Sequence, residues 1–138
     1  MRRRNKFGAR KVRAGGYVFD SQLEYARWLD LCLLQEQGLI RDLKPHPEFE
    51  MFPGVWYTES GRDKPRKHSH VTYKADFRYF DVELGEQVVE DVKSAPTAKT
   101  ALFRLKLRWF LWRYPNQLFL LTTRDSATYY RGLPEKDT

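Results

Sequence analysis

The most regular pattern in the chain is an alternation of apolar and polar positions beginning at Val71. Val71, Tyr73, Ala75, Phe77 and Tyr79 fall on one side of an extended backbone, and Thr72, Lys74, Asp76, Arg78 and Phe80 on the other, the two-residue period of a strand. A polar turn, Leu84-Gly85-Glu86, separates this arm from a second, 87–93, in which Val88, Glu90 and Val92 share one face and Gln87, Val89, Asp91 and Lys93 the other. The pair predicts a β-hairpin. A turn centred near Leu84 and Gly85 sets Asp76 opposite Lys93 and Arg78 opposite Asp91, with the two carboxylates as diagonal neighbours.

Upstream, Gly15-Gly16 marks a turn and Tyr17-Val18-Phe19 a short extended piece. Ser21, with Glu24 three residues on, has the form of a capping box. The helix it opens runs to about Gln37, where Gly38 ends it. Tyr25, Trp28, Leu29, Cys32 and Leu33 recur at helical spacing and are expected in the core. Residues 39–47 read as a connection punctuated by Pro45 and Pro47. Residues 48–57 read as a strand interrupted at Pro53-Gly54, with Phe49, Met51, Val55 and Tyr57 inward. Residues 58–70 form a polar, basic loop. After the hairpin, Thr97 is placed to cap a helix over 98–114, with Ala98, Ala101, Leu102, Leu105, Trp109 and Trp112 as the packing stripe and Lys99, Lys106 and Arg113 on a neighbouring line. Residues 117–122 form a short apolar strand, and the polar tail beyond Thr123 has Tyr129 and Tyr130 as anchors. Strands interleaved with two helices predict an α/β fold: a central mixed β-sheet flanked by helices.

Composition narrows the picture. A chain of 138 residues, 41% hydrophobic and 15% aromatic, suits one compact domain. Cys32 is the only cysteine, which excludes an internal disulfide and a thiolate metal cluster and fits a reducing cytoplasm. No apolar run approaches the ~20 residues that span a bilayer, and no apolar stretch follows the N-terminal basic residues as a secretory signal requires. The formal charge of +7 is confined to one place. Residues 1–13 carry Arg2, Arg3, Arg4, Lys6, Arg10, Lys11 and Arg13 and no acid, whereas the acids and bases of the remainder cancel. The expected organisation is therefore a basic arm, 1–13, and a single domain, 14–138. Such an arm is either a solvated tail or a binder of nucleic-acid phosphates, from which it releases counterions. Arg66, Lys67, Lys99 and Lys106 are candidates to extend that contact, or are merely solvated. His46, His68 and His70 lack the further ligands at fixed spacing that a zinc site needs.

Candidate chemistry lies in the hairpin. Two carboxylates about 5 Å apart repel by roughly 3 kcal/mol at an effective dielectric near 20, a cost relieved by a cation or a shared proton. Magnesium uses one or two protein carboxylates and retains waters, which suits Asp76, Asp91 and the Val92 carbonyl, with Lys93 beside them. The alternative is an exposed face of mixed charge in which Lys93 and Arg78 pair with the aspartates. Glu24 likewise fits two roles, a helix cap or a further metal ligand.

Ala75-Asp76 followed by Asp91-Val92-Lys93 resembles the PD-(D/E)XK nuclease motif, with Ala75 where that motif often has proline. The order FDSQLE, YKADFRYF, VVEDVKS and then a basic aromatic helix is similar to small phage-encoded nucleases of that superfamily related to Holliday-junction resolvases. The resemblance covers about residues 7–119. It implies a restriction-endonuclease-like core and a metal-dependent DNA endonuclease whose catalytic residues are Glu24, Asp76, Asp91 and Lys93. It further implies Mg2+, replaceable by Mn2+, bound by Glu24, Asp76, Asp91 and Val92. The expected partner is a four-way or otherwise branched DNA cut by a homodimer in the cytoplasm of a bacterial host, with no membrane and no small-molecule cofactor. Rival readings are a nicking, restriction-like or other structure-selective nuclease of the same chemistry, and a non-catalytic nucleic-acid-binding module.

Overall fold

A computed structural model describes residues 10–134. Arg2, Arg3, Arg4 and Lys6 of the basic arm lie outside the described residues. Arg10 and Lys11 precede the first strand, and Arg13 lies within it: β1 (Val12–Ala14) pairs antiparallel with β2 (Tyr17–Phe19) around the Gly15-Gly16 turn. Strand β1 therefore begins inside the stretch expected to be the arm, at Val12.

The centre is a five-stranded mixed sheet of β3 (Ile40–Pro45), β8 (Phe77–Asp81), β9 (Glu86–Val92), β10 (Leu118–Thr122) and β11 (Ala127–Arg131), in the order β11-β10-β9-β8-β3. Only β9 and β10 run parallel, joined by the crossover that parallel neighbours require. That crossover is helical, as expected, but has two pieces, α2 (Ala95–Ala98) and α3 (Ala101–Arg113). Ser94 caps the first and Thr100 the second, so the expected Thr97 cap is replaced by two neighbouring hydroxyls. Two further ribbons stand apart: β4 (Glu48–Phe52) with β7 (Val71–Lys74), and β5 (Val55–Tyr57) with β6 (Arg66–His68). Among the described residues no helix is long and apolar enough to cross a membrane.

The central strands β9 and β10 are covered on both faces, which is why 117–122 is almost continuously apolar. Val88, Val92, Leu118 and Leu120 pack with Phe19, Phe77 and Tyr79 beneath α1 (Gln22–Glu36), while Val89, Phe119 and Leu121 pack with Tyr73 and Phe110 on the α3 side.

The helix faces differ from the expected ones. Of the expected α1 stripe, Leu29 and Leu33 are exposed and Cys32 is half-buried; Leu31 is wholly buried, and the inward line passes through Glu24, Arg27, Trp28 and Leu31. Two of those inward positions carry charge, so hydropathy pointed to the wrong side. In α3, apolar residues occupy both sides. Phe103, Leu107 and Phe110 take the interior, leaving Leu102, Leu105 and Trp112 in solvent. The inward line therefore lies on a different side of the helix from the expected stripe, and even the large Trp112 ring stays outside.

The hairpin also needs correction. The β8–β9 register pairs Phe77 with Glu90 and Arg78 with Val89, so Asp76 falls opposite Asp91, and Arg78 does not face Asp91. A four-residue connection, pinned by Gly85 N–H on the Asp81 carbonyl and Leu84 N–H on the Asp81 carboxylate, shifts the register by two. An even shift preserves the faces. The first arm is not one strand, however: β7 and β8 belong to different sheets and are separated by Ala75-Asp76. Tyr73 and Ala75 consequently face α3, whereas Phe77 and Tyr79 face α1.

Candidate active site

At the Ala75-Asp76 break the ladder hydrogen bonds pass from backbone to side chains. Asp76 N–H donates to the Glu90 carbonyl (3.2 Å) and to Asp91 Oδ1 (3.0 Å), and Val92 N–H donates to Asp76 Oδ2 (2.7 Å). Each aspartate thus holds the backbone of the opposing strand. Both are buried, and the Tyr73 hydroxyl donates to Asp91 Oδ2 from the α3 side. Lys93 Nζ lies 3.9 Å from Asp91 Oδ2 and 5.6 Å from the centre of the Phe103 ring.

Glu24 reaches the same region from the first turn of α1. Its N–H donates to Ser21 Oγ (3.1 Å), and its Oε2 accepts from Asp20 N–H (3.0 Å), so the capping role holds with the reciprocal bond moved one residue upstream. Its Oε1 lies 2.9 Å from His46 Nε2. His46 has a positive φ of 56° and donates its own N–H to the Asp76 carbonyl (2.8 Å), tying the helix carboxylate to the strand break.

The electrostatics follow from this burial. Desolvation pushes the Asp76 carboxyl up to about 7, opposed by the Lys93 charge and reinforced by Glu24. The Glu24 carboxyl is likewise pushed up to about 7 by burial, with the hydrogen bond from Asp20 acting against it and Lys93 and Asp91 contributing with opposite signs. Burial also raises Asp91. For Lys93, burial alone lowers the ammonium pKa, but Asp91, Asp76 and Glu24 together hold it above the ordinary lysine value. Burial, with the Lys74 charge, lowers His46 and favours a neutral imidazole. Lys93 therefore feels the charge of Glu24, Asp76 and Asp91, although these groups come from three separate stretches of chain.

Among the described residues no group of three or more histidine, cysteine, aspartate or glutamate side chains stands arranged to hold a metal ion. Magnesium asks for less than that. Asp76 and Asp91, opposed across β8 and β9 and next to the Val92 backbone, supply the one or two hard oxygen ligands it uses. The donor chemistry fits that ion, and relief of the buried negative charge favours it.

The remaining candidates lie farther out. Arg66 makes an exposed ion pair with Glu59 (3.6 Å), and Lys67 lies over the Trp56 ring (5.9 Å). Lys99 and Lys106 are exposed on α2–α3, and the Lys106 charge is felt at Asp91. The histidines 46, 68 and 70 do not form one cluster: His68 stacks on Tyr57 at 4.5 Å, and His70 is exposed.

Sequence reasoning missed three groups. Tyr73 alternates correctly but bears no mark of its carboxylate partner. His46 sits between two prolines in a segment read as a plain connection. The third is an ionic knot on the other face of β9, where Glu90, fully buried, accepts from Arg27 Nε (2.6 Å) and Nη2 (3.1 Å), the Tyr79 hydroxyl (2.6 Å) and Thr122 Oγ1 (3.0 Å). Its one signal was an arginine three residues beyond Glu24.

No curated protein matches the chain. Among solved structures, SSO0001 is 16% identical over 83% of this chain, with a TM-score of 0.40, and the chain spans about half (52%) of that protein's length. A family model described as a protein of unknown function, DUF1064, matches residues 4–132, and the chain belongs to that family.

Proposed function

We propose that this chain is a magnesium-dependent endonuclease of the PD-(D/E)XK type, with a restriction-endonuclease-like core, that hydrolyses phosphodiester bonds in branched DNA. The observation that carries the reading is the pair of buried aspartates, facing each other across β8 and β9 with Lys93 alongside and both carboxyls pushed up by burial. A pair of that kind is costly unless a cation joins it. Perturbed carboxylates beside a lysine are a recurrent mark of functional sites.

Asp76, Asp91 and the Val92 carbonyl would hold the ion, with Glu24 as the further ligand and Mn2+ as a substitute. When bound, magnesium supplies an acidified water and offsets charge on the phosphate. The chain's own groups do the rest. Lys93 places an ammonium beside Asp91, where it can donate to a phosphate oxygen as negative charge develops there. Tyr73 holds the Asp91 carboxylate from behind, and His46 holds Glu24. The basic arm and the exposed Lys99 and Lys106 supply phosphate contacts. Paired incisions in a four-way junction require two such sites, hence a homodimer. A bacterial cytoplasm suits the single cysteine.

The test is cleavage of a labelled four-way DNA junction with magnesium, with EDTA, and by an Asp91→Asn variant that still binds. Paired incisions lost in both controls are expected. Equal rates on a junction and on linear duplex of matched sequence would replace the junction specificity with a more general nuclease. Tight binding without cleavage, at any magnesium or manganese concentration, would leave a nucleic-acid-binding module.

A further inference from the structure

A cleft of about 380 Å3 opens where α2 and α3 meet β10 and β11. Its floor is apolar, formed by the buried Phe103, Leu107 and Leu121; the half-buried Tyr130 ring forms a wall, and exposed Arg104 and Arg108 stand on the rim. The two arginines lie one helical turn apart, with Arg108 Nε donating to the Arg104 carbonyl (3.3 Å). Among the described residues neither has an acidic partner, and no carboxylate lines the cleft. The cleft adjoins the aspartate pair. Leu121 is directly opposite Asp91 in the β9–β10 register, and Phe103 carries Lys93 over its ring.

Unneutralised guanidinium groups above an apolar, aromatic-walled floor suit a ligand with phosphate at one end and a flat ring at the other. The volume is at the small end of ligand sites, roughly 300–1,000 Å3, so a duplex does not enter. A base stacked within a duplex has both faces covered by its neighbours, whereas an unpaired nucleotide can swing out and offer one. We infer that the cleft receives one unpaired nucleotide of the DNA strand beside the cleavage site, its phosphate on Arg104 and Arg108 and its base against Tyr130 and the Phe103–Leu107 floor. This inference rests on the nuclease reading and specifies its substrate as DNA with an unpaired nucleotide next to the cut.

The test is metal-free binding by the full chain in EDTA at fixed salt, comparing a duplex bearing a single-nucleotide bulge with the fully paired duplex. One stacked base contributes about 1–3 kcal/mol, so the bulge should bind roughly 5- to 150-fold more tightly. An abasic bulge, which keeps the bend and removes the ring, should lose that preference. Arg104→Glu/Arg108→Glu should abolish it, and the charge-matched Arg41→Glu/Lys44→Glu, on the opposite edge strand, should weaken both duplexes and preserve the ratio. Thymidine 5′-monophosphate should compete for the bulge, and inorganic phosphate should not. Equal affinity for bulged and paired DNA, a preference that survives in the abasic duplex or in the Arg104/Arg108 variant, or equal competition by bare phosphate would each overturn the inference. A protein that cuts junctions without preferring the bulge would refute the cleft alone. One that prefers the bulge but cuts nothing would support the cleft and refute the nuclease.

Discussion

Arg27→Met is expected to destabilise the fold far more than an ordinary half-buried substitution. Glu90 is wholly buried, and among the described residues two of its four hydrogen bonds, together with its only counter-charge, come from Arg27. Methionine keeps the aliphatic stem but leaves an anion in the core with two neutral donors, the Tyr79 and Thr122 hydroxyls. Breaking a buried pair from one side costs about 3–5 kcal/mol, a large share of a total stability of roughly 5–15 kcal/mol. At about 3 °C per kcal/mol for a domain of this size, Tm should fall by about 10–15 °C in a thermal melt followed by circular dichroism. Glu90→Gln introduced into the same variant removes the stranded charge and should recover about half of the loss. The reasoning is refuted if Arg27→Met shifts Tm by less than about 3 °C, or if the double variant is no more stable than the single one.

The site titrates in a direction that can be checked. The Glu24 and Asp76 carboxyls have folded values near 7, raised above their unfolded values of about 4, so their contribution to stability is complete below about pH 4 and is lost as pH rises toward 7. In EDTA the Tm difference between wild type and Asp76→Asn should therefore move against wild type over that window, and magnesium, which binds the ionised form, should reverse the trend; a flat difference with and without metal would contradict it. His46→Ala should raise the magnesium concentration for half-maximal cleavage roughly 10- to 100-fold by releasing Glu24, and an unchanged requirement would remove His46 from the site. Deleting residues 1–9, with Arg2, Arg3, Arg4 and Lys6, should flatten the log–log salt dependence of DNA binding by up to about 3.6; an unchanged slope would show that these charges do not contact phosphate.

The parts of the fold that could be read in advance are those in which one physical effect dominated. The strand at 118–122, buried on both faces, reads as unbroken apolar sequence, and the alternation of 86–92 survives because the register error was even. Edge strands were another matter. β3, with Arg41, Asp42 and Lys44 and a bulge where Asp42 takes a φ of 57°, resembles a loop because only one side of it meets the core, and β11 was hidden for the same reason. β6, exposed at all three positions in a separate two-stranded ribbon, has no core face to leave a pattern. The helices misled because α3 carries apolar residues on both sides, so that Phe103, Leu107 and Phe110 rather than Leu102, Leu105 and Trp112 are inward, and because α1 turns inward a line that includes the charged Glu24 and Arg27; a hydropathy stripe resolves neither. Motif and order did point to Glu24, Asp76, Asp91 and Lys93, which the fold brings into one region. Their supporters, Tyr73 and His46, depend on where the Ala75-Asp76 break bends the chain, and pairwise spacing in the sequence holds no trace of that bend.

Glu24 and Arg27 are neighbours on one helix, and this has a consequence for aiming rather than for strength. The Arg27–Glu90 bridge fixes the roll of α1 about its own axis, because a bidentate fork tolerates little rotation. With side chains about 5–6 Å from a helix axis, a roll of ~10° carries the Glu24 carboxylate about 1 Å sideways. A displacement of that size can cost about a hundredfold in rate. The bridge on one face of the sheet is thus the alignment stop for a carboxylate at its end. In the proposed nuclease, wear in that stop would be seen first as lost precision of cutting, at temperatures where the protein is still fully folded.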